Sequence, residues 1–203
     1  RFSQDRRGRK RQETEEHQRE GLEDLARFHL TPEQETVLSS IRQRLVDMGF
    51  ETFLLHGVTG SGKTEIYLRA MEEVWNCGKR SLILVPEVAL TPQLLDRVRG
   101  RFPDQVGVLH SSLTSTERWW QWRRISRGEV AVVVGARSAV FAPIPDLGLI
   151  VVDEEHDSSY KQEEGLRYHA RDLAVVRGKL AGCPVLLGSA TPSVESYENS
   201  QRG

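Results

Sequence analysis

The segment Gly57-Val58-Thr59-Gly60-Ser61-Gly62-Lys63-Thr64 constrains this chain more than any other, because it dictates a strand before it, a helix after it and an anion between them. Its spacing, G-x-x-x-x-G-K-T, is that of a phosphate-binding loop. The glycines let backbone N–H groups converge on phosphate oxygens, and the N-terminus of the following helix adds positive potential. An apolar run, Thr52 to His56, precedes the motif, and a helical stretch follows it to Gly78. Lys63 is expected to reach the β and γ phosphates of ATP, and the Thr64 hydroxyl to ligate Mg²⁺. A bare glycine turn would need neither.

Short β-rich runs alternate with helical ones along the rest of the chain: Ser81 to Val85, Val106 to Leu109, Val130 to Val134, Leu149 to Val152 and Pro184 to Leu187. Val, Ile and Leu fill them without a period of two, as in parallel strands covered on both faces. The expected fold is therefore α/β, a mostly parallel sheet with helices on both faces. Ahead of the first strand, Thr31, Pro32 and Gln34 read as an N-cap, a proline at N1 and a capping-box residue. Val37, Leu38, Ile41, Leu45 and Met48 then recur at helical spacing until Gly49.

Gly148-Leu-Ile-Val-Val-Asp153-Glu154-Glu155-His156 places acids directly after a buried strand, at the edge where an open α/β sheet binds ligands. Asp153 is the natural Mg²⁺ partner for Thr64. Glu154 can orient and deprotonate the attacking water, and Glu155 has less to do there.

These motifs, with Pro86-Glu87-Val-Ala-Leu-Thr91-Pro92-Gln93, Gly135-Ala-Arg137-Ser138-Ala and Gly188-Ser189-Ala190-Thr191-Pro192 in order, resemble superfamily 2 DNA helicases of the DEEH type across Leu30 to Glu198. Asp153 to Gln162, followed by Arg167-Tyr168-His169-Ala-Arg171-Asp172, is similar to the replication-restart members in particular. The resemblance implies a RecA-like first lobe over residues 30–203, preceded by a charged linker or tail over 1–29. Implied with it are 3′ to 5′ movement on single-stranded and fork DNA, the cofactors ATP and Mg²⁺, and a cytoplasmic location. Primosome proteins and a single-stranded DNA-binding protein are the implied partners, and zinc is confined to a cysteine region outside this segment.

For single residues, the resemblance implies that Thr91, Arg137 and Ser138 hold DNA phosphates, and that His156 links the γ-phosphate to Ser189 and Thr191. Thr91 equally suits a plain helix start, being an N-cap before Pro92. Gln34 has two open readings, closure of its capping box or a hydrogen bond to adenine. Ser158 to Asp172 resembles an aromatic-rich loop that senses single-stranded DNA, with Tyr160, Tyr168 and His169 stacking on bases and Lys161, Arg167 and Arg171 on phosphates. Leu166 departs from that pattern, where an aromatic is expected.

Composition narrows the alternatives. With 203 residues, 38% of them hydrophobic, one domain with an ordinary core is expected. A formal charge of -1 supplies no global positive field, so DNA contact must come from local patches. Cys77 and Cys183 lack metal or disulfide spacing and read as small core hydrophobes of a reducing compartment. No apolar run approaches the roughly 20 residues of a membrane span. The basic cluster Arg6 to Arg11 and the acidic run Glu13 to Glu16 suit a solvated linker or a nucleic-acid-contacting arm. Thr114 to Glu117 is a capping box opening a helix whose Trp119 and Trp122 are expected in the core, with Trp120 stacked on Arg124.

Opening on Arg and ending just after Gly188 to Pro192, the chain reads as an excised piece, without the second lobe whose arginines complete such sites. Alone it is expected to hydrolyse ATP poorly, or to act as a nucleotide-gated DNA-binding module. A P-loop kinase or transport ATPase is the reading without nucleic acid, and it would need neither the Thr91 and Arg137 motifs nor the aromatic loop.

Overall fold

The computed structural model describes residues 29–47 and 49–202. The charged segment expected over 1–29, except His29, lies outside them, as does Met48. A sheet of six parallel strands forms the centre: β1 (Thr52–His56), β2 (Arg80–Leu84), β3 (Val106–Leu109), β4 (Val132–Gly135), β5 (Leu147–Val152) and β8 (Val185–Ser189), in the order β1-β8-β5-β2-β4-β3. A separate antiparallel ribbon pairs β6 (Lys161–Gln162) with β7 (Tyr168–His169). Among the described residues six helices surround these: α1 (Pro32–Asp47), α2 (Lys63–Asn76), α3 (Pro92–Arg101), α4 (Ser115–Ser126), α5 (Ala170–Ala181) and α6 (Val194–Arg202).

Consecutive strand residues enter opposite layers, which is why the runs are continuously apolar. Ile83, Val132, Val134, Leu149, Val151 and Leu186 pack with Leu38 and Ile41 of α1, Ile66 to Val74 of α2 and Val98 of α3. Leu82, Leu84, Val133, Ile150, Val152 and Leu187 pack on the other face with Ile125 of α4 and Ala170 and Ala174 of α5. Truncating a central residue such as Ile150 to Ala would cost about 2–5 kcal/mol, transfer and cavity terms together.

Strand ends differ from expectation where hydrogen-bonding neighbours decide them. Arg80 joins β2 by pairing with Leu147, and β4 begins at Val132, the first residue to face both Ser81 and Val106. The helix caps behave as read: Thr31 accepts from Gln34 N (3.3 Å), Thr91 from Leu94 N (3.3 Å) and Thr114 from Glu117 N (3.3 Å). Glu117 completes the box by accepting from Thr114 N at 2.9 Å.

The tryptophan expectation fails. Trp119 and Trp122 are 52% and 42% exposed, because α4 flanks the sheet edge and buries only Ile125. Arg123, not Arg124, lies over Trp119 and Trp120, 5.1 and 5.7 Å from the ring centroids, while Arg124 binds the Asp104 carbonyl. The cysteines divide: Cys183 is buried as expected, but Cys77 caps α2 in solvent. No helix among the described residues is long and apolar enough to cross a membrane.

Candidate active site

The C-terminal ends of β1, β8 and β5 lie side by side and carry the site. β1 ends at His56 and opens into the glycine loop, whose root is fixed to β8 by Gly57 N donating to Ser189 O (3.1 Å). Gly60 and Gly62 take φ of 80° and 87°, the left-handed region where a side chain would be strained. Gly62 caps α2 without a side chain, so no hydroxyl or carboxylate competes with an anion for the first helical N–H groups. Lys63 Nζ curls over the loop to Gly57 O (2.7 Å) and Val58 O (3.4 Å). Val58 and Thr59 face solvent at the loop crest, and Thr64 follows Lys63 in the first turn of α2.

Gln34 closes its capping box through Oε1, which accepts from Thr31 N at 2.9 Å, and simultaneously donates from Nε2 to Ser61 O at 2.7 Å. One side chain thus seals the start of α1 and braces the phosphate loop. A Cβ on Gly62 would collide with that amide and displace the end of the Gln34 side chain from Ser61 O.

At the end of β5, Asp153 is held from several sides. Its N–H donates to Leu84 O (2.9 Å), its Oδ1 accepts from Tyr67 (3.1 Å) and its carbonyl accepts from Tyr160 (2.6 Å). Burial and then the neighbouring Glu154 charge push the Asp153 carboxyl above the usual range, against the Tyr67 hydrogen bond and the Lys63 charge. Lys63 and Asp153 therefore interact across the site. Glu154 adopts φ 47°, an uncommon backbone for a residue with a Cβ, at a cost of about 1 kcal/mol or more. His156 Nδ1 sits 2.7 Å from Ser189 Oγ and 3.7 Å from Glu154 Oε2, and its Nε2 sits 3.3 Å from Thr191 Oγ1. The expected link from His156 to Ser189 and Thr191 is present.

Two expectations for the loop after Asp157 are corrected. Tyr160 is fully buried, with its hydroxyl on the Asp153 carbonyl, and has no face free for a base. Arg171 points inward to Glu155 (3.2 Å), Asp172 (2.8 Å), Glu195 (2.7 Å) and Ser193 Oγ (2.8 Å), so it is not a phosphate hand. Arg137, half-buried at the end of β4, donates from Nη1 to the carbonyls of Lys161 (2.5 Å) and Ser159 (3.2 Å), tying the end of β4 to the loop. Ser138 is exposed beside it, and Thr91 is half-buried at the start of α3, at the ends of neighbouring strands β4 and β2. Tyr168 is half-buried edge-on against Phe141 (5.1 Å), and Arg167 and Leu166 face solvent. Burial lowers the His169 imidazole below its ordinary range, and its Nδ1 has no partner.

Glu155 is the residue that sequence reasoning undervalued. Fully buried, it accepts from Ser193 N (2.7 Å), Ser196 Oγ (2.8 Å), Ser193 Oγ (3.1 Å) and Arg171 (3.2 Å). Burial alone would raise its carboxyl, but the Ser193 N–H, Ser196 and Arg171 outweigh it and hold the group below the usual range. It joins the end of β5 to the segment beyond Thr191 and to α5. The available signal was the third acid of the run, set against the serines at 193 and 196.

The donors fit MgATP: a glycine loop with an uncapped helix start, a lysine over the loop, a hydroxyl at Thr64 and a carboxylate at Asp153 within the Lys63 field. Among the described residues, no group of three or more His, Cys, Asp or Glu could hold another metal.

Comparison with known proteins adds the lineage. Residues 31–200 match the DEAD/DEAH box helicase family. The chain is 55% identical over 174 residues to replication restart protein PriA of Bacillus subtilis strain 168, covering 86% of this chain and 22% of that protein. It is 54% identical over 161 residues to PriA of Haemophilus influenzae, covering 79% and 22%. It thus spans about 22% of the length of these relatives. RecG bound to a three-way DNA junction is similar in structure, with a TM-score of 0.66, 26% identity and 88% of this chain covered against 23% of that one.

Proposed function

This chain belongs to the DEAD/DEAH box helicases, and we propose that it is the ATP-binding first lobe, residues 30–203, of a PriA-like DNA helicase. The observation that carries the reading is the bridge from His156 to Ser189 and Thr191 beside the phosphate loop. It joins the acidic turn that meets nucleotide to the β8 end, within one hydrogen-bonded unit that also holds Gly57. A simple phosphate-binding enzyme would not require that bridge.

In this reading Gly57 to Gly62 and the α2 N-terminus bind the phosphates, and Lys63 leaves the loop carbonyls to pair with the β and γ oxygens. Thr64 and Asp153 would hold Mg²⁺, which would supply positive charge against that developing on the phosphates. Glu154 takes the proton of the attacking water, from the left-handed turn that directly follows Asp153. His156, 3.7 Å from Glu154, couples that base to Ser189 and Thr191. Gln34 braces the loop from α1 and can serve adenine with its remaining capacity.

DNA, single-stranded or at a fork, would run along the C-terminal edge of the sheet past Thr91, Ser138, Tyr168 and His169. Contacts of this type grip the backbone without reading sequence, as a translocating motor needs. PriA is the curated name of the close relatives, and RecG was solved on a DNA junction. Movement 3′ to 5′, replication restart, primosome and single-stranded DNA-binding protein partners, and a bacterial cytoplasmic setting complete the proposal.

The test is ATP hydrolysis by the intact parent protein with and without single-stranded DNA. Wild-type protein should be strongly stimulated, Lys63→Ala inactive, and Glu154→Gln should keep nucleotide bound while losing about 10²–10⁴-fold in turnover. DNA-independent turnover, or an active Lys63→Ala protein, would sink the reading.

A further inference from the structure

The magnesium carboxylate is gripped by a tyrosine that none of the nucleotide-binding motifs contains. Tyr67 lies on α2, four residues after Lys63 and three after Thr64, so all three share one face of the helix. It is fully buried, and its hydroxyl donates to Asp153 Oδ1 at 3.1 Å. A buried tyrosine that only filled space could be phenylalanine; the hydroxyl must find a partner, and here the partner is a carboxylate. The backbone of β8 has been cleared for it. A Cβ on Gly188 would overlap the Tyr67 hydroxyl and ring, so no residue but glycine leaves the contact intact. Tyr160 holds the same aspartate by its carbonyl at 2.6 Å, fixing the peptide that leads into the left-handed Glu154.

From this geometry we propose that Tyr67 is a positioning residue for the metal: it sets the Asp153 carboxylate in register with Thr64, so that both Mg²⁺ ligands are fixed by one helix. The inference rests on the reading of Asp153 as the Mg²⁺ ligand. Without the hydroxyl, the carboxylate is free to rotate in its cleft and must be reordered each time the metal arrives. The cost should fall on metal-dependent nucleotide binding and not on binding of the phosphates themselves, which belongs to the glycine loop and Lys63.

The experiment measures binding of a fluorescent ADP to the 203-residue chain in Mg²⁺ and in EDTA, for wild type, Tyr67→Phe and Asp153→Asn. Phenylalanine keeps the ring in the core and deletes only the hydroxyl. The affinity in Mg²⁺ should fall about tenfold in Tyr67→Phe, the order of one hydrogen bond to a charged group, with affinity in EDTA within about twofold of wild type. Asp153→Asn should lose the whole difference between Mg²⁺ and EDTA. Equal losses in both buffers would make Tyr67 a packing residue and overturn the proposal, as would no loss in either. If Asp153→Asn keeps the full Mg²⁺ effect, the metal assignment itself fails and the proposal falls with it. If only Asp153→Asn loses the effect, the metal assignment stands and the tyrosine role alone is refuted.

Discussion

Arg171→Ala should destabilise the fold rather than release DNA. The Arg171 and Glu155 side chains are 10% and 0% exposed at 3.2 Å, and removing one partner of a buried pair costs about 3–5 kcal/mol because it strands the other charge. Two features set the value near the lower end. Glu155 would retain Ser193 N, Ser193 Oγ and Ser196 Oγ, and the other carboxylates on Arg171, Asp172 and Glu195, are 61% and 76% exposed, so losing them matters little. A loss of about 3 kcal/mol corresponds to a melting point lower by roughly 6–12 °C in a domain of this size. Urea unfolding at pH 7 of wild type, Arg171→Ala, Glu155→Gln and the double variant measures it. The double variant should lose less than the sum of the single ones, since neither charge is then stranded. Single-stranded oligonucleotide affinity should change little in Arg171→Ala. Stability within about 0.5 kcal/mol of wild type, together with lost oligonucleotide binding, would refute the buried-pair argument and restore Arg171 to a phosphate.

In the parent protein Tyr168→Ala should leave basal ATP hydrolysis and nucleotide affinity nearly unchanged while sharply lowering stimulation by single-stranded DNA. A modest affinity loss is allowed, at about 1–3 kcal/mol per stacked base, but an unchanged maximum stimulated rate would make the loop a passive grip. An alkylating reagent at pH 8 should modify Cys77 alone in the folded chain, since burial encloses Cys183 and pushes its thiol up to about 11, and should modify both after denaturation. Comparable native labelling of Cys183 would contradict its burial.

Local chemistry made much of this protein legible in its sequence. The glycine loop, the continuous apolar strands and the capping boxes at Thr31 and Thr114 are each set by neighbours within a few residues, so spacing alone recovers them. Parallel pairing under two helical layers follows from strands without alternation. Partners distant in the chain could not be read this way. Tyr160 has the composition of a base-stacking residue, yet packing turns its hydroxyl to a carbonyl seven positions back. Arg171 and Glu155 stand 16 positions apart, and only the convergence of β5, α5 and the segment at Ser193 makes them a buried pair. Trp119 and Trp122 carry core-like spacing, but the edge position of α4 offers them no opposing layer. Periodicity says which residues share a face, while the tertiary structure decides whether anything covers that face, because burial is a property of two surfaces and the sequence of a helix describes only one.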